Sequence, residues 1–164
     1  MCAPRFVSDV MLGSLSKWLR ILGFDTLYFR RADDHELIRI ALREQRTLIT
    51  RDSGLARRCS RTGHPACISI ISQRTSDQVR EVLSAVSASL PPLPAGPPRC
   101  VVCNGELSPA GRESVFGDVP EFVYRNRDSF FRCLSCGKVY WEGSHSRHIE
   151  ETISRILGDA GQMR

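Results

Sequence analysis

Residues 91–98 read Pro-Pro-Leu-Pro-Ala-Gly-Pro-Pro. Each proline lacks a backbone donor and fixes φ near about −65°, so neither a helix interior nor a central strand can pass through this segment. A run of this kind behaves as a stiff, extended spacer. It divides the 164-residue chain into residues 1–90 and residues 99–164. Each part has to find a hydrophobic core of its own.

The first part alternates between two periodicities. Arg5 to Ser8, Thr26 to Phe29, Thr47 to Thr50 and Ala66 to Ile71 read as short buried strands. Between them lie helical stretches. Ser14 can cap a helix with Leu15, Trp18, Leu19 and Leu22 on one face, stopped by Gly23. Asp33 or Asp34 can cap a second, with Leu37, Ile38, Ala41 and Leu42 facing inward. A short helical turn is expected over Ser53 to Arg58. A longer helix opens at Thr75-Ser76-Asp77 and carries Val79, Val82, Leu83 and Val86. Strands alternating with helices predict an α/β fold with a parallel sheet and helices on both faces. Ligand sites in such sheets lie beyond the carboxyl ends of the strands.

Acidic residues fall at those ends. Asp9 follows the first strand, Asp33 and Asp34 follow the second, and Asp52 follows the third. Each taken singly is an ordinary turn or cap residue. Together on one sheet edge they would repel, at about 4 kcal/mol for two charges 4 Å apart at an effective dielectric near 20. Protonation or a bound cation would have to offset that cost. Oxygen ligands alone suit Mg²⁺ or Mn²⁺, which can activate water and stabilise the leaving oxygen of a phosphodiester. Other phosphate chemistries fit less well. There is no GxxxxGK[ST] loop and no GxGxxG, and the place two residues after Asp9, where an aspartyl-phosphate enzyme would want a second Asp, is Met11.

Residues 99–164 carry Cys100-Val-Val-Cys103 and Cys133-Leu-Ser-Cys136, separated by 29 residues. Two CxxC pairs match a closed, structural tetrahedral zinc site, and the long gap allows an inserted hairpin. Gly105 and Gly137 suit the tight turns of the knuckles. Cys2, Cys59 and Cys67 are left as ordinary thiols. After the second knuckle, Tyr140 and Trp141 either pack the small module or stack on bases, and His145 and Arg147 are candidate RNA contacts. Ile149, Ile153 and Ile156 predict a closing amphipathic helix at about 147–157.

Charge separates the two parts as well. Residues 1–94 hold 14 Lys+Arg against 9 Asp+Glu, and residues 95–164 hold 9 against 9. A basic surface favours polyanions. Arg51, Arg57 and Arg58 lie near the acidic edge. Arg20 and Lys17, on the expected exposed face of the first helix, are secondary candidates. No stretch approaches the roughly 20 apolar residues of a membrane span, and the N-terminus is too polar for a signal peptide. A cytoplasmic protein is expected.

Several stretches carry a specific resemblance. They are FVSDVMLGSLSKWLRILGFDTLYF, DDHELIRIALREQRTLITRDSGLARR, RCVVCNGEL and FFRCLSCGKVYWEGSHSRHI. They resemble the Mut-seven carboxy-terminal RNase family from about residue 5 to residue 149. That resemblance implies a PIN-like nuclease domain over residues 1–90, a linker at 91–98, and a four-cysteine zinc ribbon with a C-terminal helix over 99–164. It implies Mg²⁺ or Mn²⁺ held by Asp9, Asp34 and Asp52, with Asp33 competing for the place of Asp34, and RNA as substrate. The further acid that many PIN domains carry on a middle helix has no clear counterpart, and Asp77 and Glu81 stand too far along the chain to take its place. A metal-dependent ribonuclease, cutting as an endonuclease, is therefore expected. A non-catalytic RNA- or ribosome-binding protein and a PIN-type toxin are the rival readings.

Overall fold

The computed structural model describes residues 3–61, 66–86, 96–142 and 151–154. Its contacts separate two compact units, Met1–Asn104 and Gly105–Arg164. In the first, the chain runs β1 (Phe6–Ser8), α1 (Gly13–Ile21), β2 (Thr26–Tyr28), α2 (Asp34–Glu44), β3 (Thr47–Thr50), α3 (Ser53–Arg61), β4 (Cys67–Ser69) and α4 (Thr75–Ala85). The four strands form one parallel sheet in the order β2-β1-β3-β4. The expected α/β class is what the chain adopts.

Alternation along β1 assigns the two faces. Val7 packs with Leu48 of β3, with Leu37, Ile38, Ile40 and Ala41 of α2, and with Leu55 and Cys59 of α3. On the other face the Ser8 hydroxyl bonds that of Ser16 on α1 at 2.6 Å. Phe6 meets Phe24 edge-on with ring centroids 5.4 Å apart, and α1 packs on α4. A central strand buried on both faces explains why Phe6, Val7 and Ser8 are all inaccessible. Leu37, Leu48 and Leu55 are fully buried, so cutting any of them to Ala costs roughly 2–5 kcal/mol.

Two local expectations change. The inward face of α2 is Leu37, Ile38, Ile40 and Ala41, while Leu42 is 43% exposed. Ile40 takes the place assigned to Leu42 and joins the core cluster that includes Leu55 and Cys59 of α3. The turn after β3 is a nine-residue helix, Ser53–Arg61. Leu55 and Cys59, four residues apart, anchor it to the α2 side of the core.

The edge of the sheet away from the strand carboxyl ends is held by charge. Arg46, 4% exposed, donates to both carboxylate oxygens of Asp25 at 2.8 and 3.1 Å. It also donates to Glu44 at 2.9 Å and to the carbonyl oxygens of Phe6 and Asp25. Arg5 adds a bond to Asp25 at 3.0 Å. These donors hold the Asp25 carboxyl down at about 2, against the penalty of its burial.

The first unit also includes the first Cys knuckle. Arg20, expected on an exposed helix face, is 3% exposed. Its guanidinium donates to the carbonyl oxygens of Thr26, Val101 and Val102 at 2.9, 2.8 and 3.3 Å. It is a structural clamp and is withdrawn from the candidate RNA contacts, whereas Lys17 is exposed. Asn104, left-handed at φ 70°, accepts from the Thr26 amide at 2.9 Å and donates to Asp25 at 2.7 Å. Where α1 ends, Gly23 has φ +88°, and a Cβ there would lie 2.5 Å from the Gly96 oxygen. Only glycine satisfies both constraints.

The second unit is a three-stranded antiparallel sheet, β5 (Leu107–Ala110), β6 (Phe130–Cys133) and β7 (Val139–Trp141), in that order. Pro109 is tolerated because β5 is an edge strand. Between β5 and β6 the chain makes a 3-10 turn at Arg112–Val115 and a short helix, α5 (Glu121–Asn126), in place of the expected hairpin. Val115 and Val119 from this excursion meet Phe130 and Val139 in a small core. Tyr140 is half-buried and Trp141 exposed. Residues 151–154 are helical. The remainder of the expected closing helix, residues 91–95 of the expected linker, and Cys2 lie outside the described residues.

Candidate functional site

From β1 the chain crosses to β2 on one side, and β3 then enters on the other side of β1. The connections therefore diverge at the carboxyl ends of β1 and β3, which leaves a crevice there. Asp9 directly follows β1, and Asp52 lies two residues beyond β3. The two are joined through Thr50. Its hydroxyl donates to Asp9 Oδ2 at 2.7 Å and accepts from the Asp52 amide at 2.9 Å. The Asp9 amide donates to the Ile49 carbonyl at 2.9 Å. Asp9 is 5% exposed, so its position is fixed by the strand ends.

Asp52 caps α3. Its Oδ1 accepts from the Leu55 and Gly54 amides at 2.9 and 2.6 Å. Those two donors, with the charges of Arg58 and Arg57 behind them, hold its carboxyl below the ordinary range. Asp33 caps α2, accepting from the Glu36 amide at 2.8 Å. That leaves the Asp34 carboxylate, in the first turn of α2, without a capping role, and it pairs with Arg58 of α3. The structure thus separates two adjacent acids that are equivalent in sequence.

Glu81 stands far from the other acids in sequence, yet the fold brings it to this edge. Both of its oxygens accept backbone amides just beyond β4, Ile71 at 2.9 Å and Ser72 at 2.9 Å. These bonds, together with the nearby Arg51 charge, lower its pKa against the cost of burial. Gln78, one turn earlier on α4, donates to the carbonyls of Ser72 and Gln73. Glu81 therefore pins the β4–α4 loop. The signal in sequence is a helical i, i+3 polar pair facing a loop. Thr50 is a second residue that sequence reasoning misses: a hydroxyl that closes an apolar strand beside an acid is its signal.

The repulsion foreseen for the acids is offset locally. Thr50 serves Asp9, helix amides serve Asp52, and Arg58 serves Asp34. Asp9 Oδ1 and Asp52 Oδ2 accept no hydrogen bond among the described residues. The acids do not form a group of three or more whose oxygens gather as closely as metal ligands; among the described residues only the cysteines do so. Of the candidate phosphate contacts, Arg51 is half-buried, and Arg57 and Arg58 are exposed. His145 and Arg147 lie outside the described residues.

Cys100, Cys103, Cys133 and Cys136 bring their Sγ atoms within 4.8 Å of one another. Four sulfurs at about 2.3 Å from a tetrahedral zinc would stand roughly 3.8 Å apart, so the set fits a structural ion with little adjustment. The left-handed turn after the first pair falls on Asn104 and that after the second on Gly137. Gly105 has a different reason to be glycine: a Cβ would press on Ser135 Oγ at 2.5 Å and Cys133 Sγ at 2.8 Å. The remaining described cysteines, Cys59 and Cys67, are thiols hydrogen-bonded to each other. Burial raises both, Cys67 to about 12, so neither supplies a ready thiolate.

The fold is a mixed α/β one, with a parallel four-stranded sheet flanked by helices and a cluster of four cysteines compatible with a zinc-binding module. The chain belongs to the Mut7-C RNase domain family, whose model matches residues 4–153. No curated protein and no solved structure matches it. The family points to ribonuclease activity, and RNA is the substrate it suggests. No helix among the described residues is long and apolar enough to cross a membrane.

Proposed function

We propose that the protein is a metal-dependent endoribonuclease whose reaction centre is the crevice at the carboxyl ends of β1 and β3. The observation that carries this reading is the Asp9–Thr50–Asp52 linkage at the switch point. It fixes two carboxylates from separate strands at the place where sheets of this kind bind ligands. Each retains one oxygen that accepts no hydrogen bond among the described residues. Asp34 would join them once Arg58 gives up its ion pair, a surface contact worth no more than about 1 kcal/mol. Asp33 would remain the cap of α2.

Mg²⁺ or Mn²⁺ suits such an oxygen-only donor set. When bound there it would supply a more acidic water and charge stabilisation for the phosphodiester. The protein's own part is positioning. Thr50 directs Asp9, the α3 amides hold Asp52 ionised, and Arg58, released from Asp34, can turn to a substrate phosphate. Arg51 and Arg57 add positive charge along the same edge. Zinc on the four cysteines would be structural, since a closed thiolate set leaves no open position. Buried thiols and a thiolate zinc site fit the reducing cytoplasm.

Incubation of purified protein with a labelled, partly structured RNA in Mg²⁺, Mn²⁺ or EDTA tests this. Internal cuts with either ion, abolished by EDTA, are expected. RNA bound but left intact in every condition would move the protein to the RNA-binding class.

A further inference from the structure

The C-terminal sheet edge does not end at Asp9 and Asp52. One strand further out, β2 leaves the sheet through Phe29, Arg30 and Arg31, all exposed. Arg30 and Arg31 make no ion pair or hydrogen bond among the described residues. Most arginines near this edge are engaged: Arg58 pairs with Asp34, Arg51 acts on Glu81 and Arg57 on Asp52.

The β2 exit is tied to the turn that follows Asp9. The Tyr28 hydroxyl donates to the Val10 carbonyl at 3.1 Å. The same ring lies against Gly13, where a Cβ would come within 2.9 Å of the hydroxyl and 3.0 Å of the ring. Tyr28 therefore fixes the spacing of the two exits. Beyond Asp9 the turn exposes Met11, at 64%. Neighbouring strands lie about 4.8 Å apart, so an apolar and cationic surface begins one strand away from the proposed reaction centre.

Unpaired cations beside an exposed aromatic ring match the chemistry of a nucleotide, an anion joined to a flat, stacking base. We propose that Phe29, Arg30 and Arg31 form a subsite for the nucleotide next to the scissile phosphate. Arg30 and Arg31 hold its phosphate and Phe29 stacks on its unpaired base. This inference rests on the ribonuclease reading and extends it to a second position of the substrate.

The test measures binding and cutting separately, on the full zinc-loaded chain. Fluorescence anisotropy with a labelled single-stranded oligonucleotide, in buffer with no added Mg²⁺ or Mn²⁺ and no chelator, gives affinity and its salt dependence. For single strands, each phosphate neutralised contributes about 0.7 to the log–log salt slope. Arg30→Gln with Arg31→Gln should lower the slope by about 0.7, the share of the one phosphate they hold, and Phe29→Ala should weaken binding on the order of tenfold without changing it. Arg39→Gln, an exposed charge on α2, is the control and should lower the slope by much less. A duplex, whose bases are already stacked, should not distinguish Phe29→Ala from wild type. If the β2 variants bind like wild type, or if Arg39→Gln lowers the slope as much per charge, the subsite is wrong. Asp9→Asn separates the two claims. Loss of cutting with undiminished effects of the β2 variants supports both. Normal cutting by Asp9→Asn removes the reaction centre and leaves the RNA surface to be judged by binding alone.

Discussion

Asp25→Asn should destabilise the first unit by about 2 kcal/mol and remove a pH dependence that the wild type shows. The Asp25 carboxylate is 21% exposed and faces Arg46 at 2.8 Å. Its pKa falls from 3.8 to about 2 on folding. At about 1.36 kcal/mol per unit, less an allowance for solvent screening of a partly exposed group, this is worth roughly 2 kcal/mol. Breaking a fully buried pair costs about 3–5 kcal/mol. The cost here is smaller because Glu44 still accepts from Arg46 at 2.9 Å and an amide oxygen can still accept one bond. A carboxylate with a depressed folded pKa stabilises fully above its unfolded value and loses that contribution as pH falls through the folded one. The loss therefore lies between about pH 4 and pH 2. Urea titrations followed by Trp18 fluorescence, from pH 7 down to pH 2, would measure both effects. A variant within 0.5 kcal/mol of wild type at pH 7, a margin of about the size expected for neutral surface changes, with the same acid profile, would refute the reasoning.

Gly23→Ala should cost roughly 2–4 kcal/mol in a denaturant titration, because it adds left-handed strain to a clash with the Gly96 backbone. A chelator that strips zinc should lower the melting temperature and release one equivalent of zinc to a colorimetric indicator, since so small a unit draws on metal binding for its fold. Asp33→Ala should cost about 1 kcal/mol by loss of the α2 cap while leaving cleavage intact. Asp34→Asn should do the reverse, and comparing melting curves with cleavage rates for the pair decides which acid serves which role.

The α/β class was legible because its cause is local. Runs such as Thr47-Leu48-Ile49-Thr50 can only be buried strands, and the Leu15, Leu19, Leu22 spacing marks a helix face. The cysteine spacing was legible because thiolate zinc chemistry tolerates few substitutes. Strand order was not. Nothing local in Asp9 or Asp52 says that β1 and β3 are neighbours; that follows only once β3 pairs on the far side of β1 from β2. The same holds for Arg20. Helical periodicity puts it near the polar face of α1, but the knuckle carbonyls of Val101 and Val102 arrive from 81 and 82 residues away. Asp33 and Asp34 were inseparable for a different reason. A one-residue difference in where α2 begins decides which carboxylate caps and which is left for Arg58. Glu81 escaped because its partners, Ile71 and Ser72, stand beyond β4, and only the fold brings them to α4.

The most direct test of the central claim is the cleavage rate of Asp9→Asn and Asp52→Asn beside wild type, in Mn²⁺, on one labelled RNA. Both variants should be folded and should cut more than about tenfold more slowly, because each removes a carboxylate from the proposed metal site. If both cut at the wild-type rate, the crevice between β1 and β3 is not the reaction centre, and Asp52 is a helix cap and nothing more.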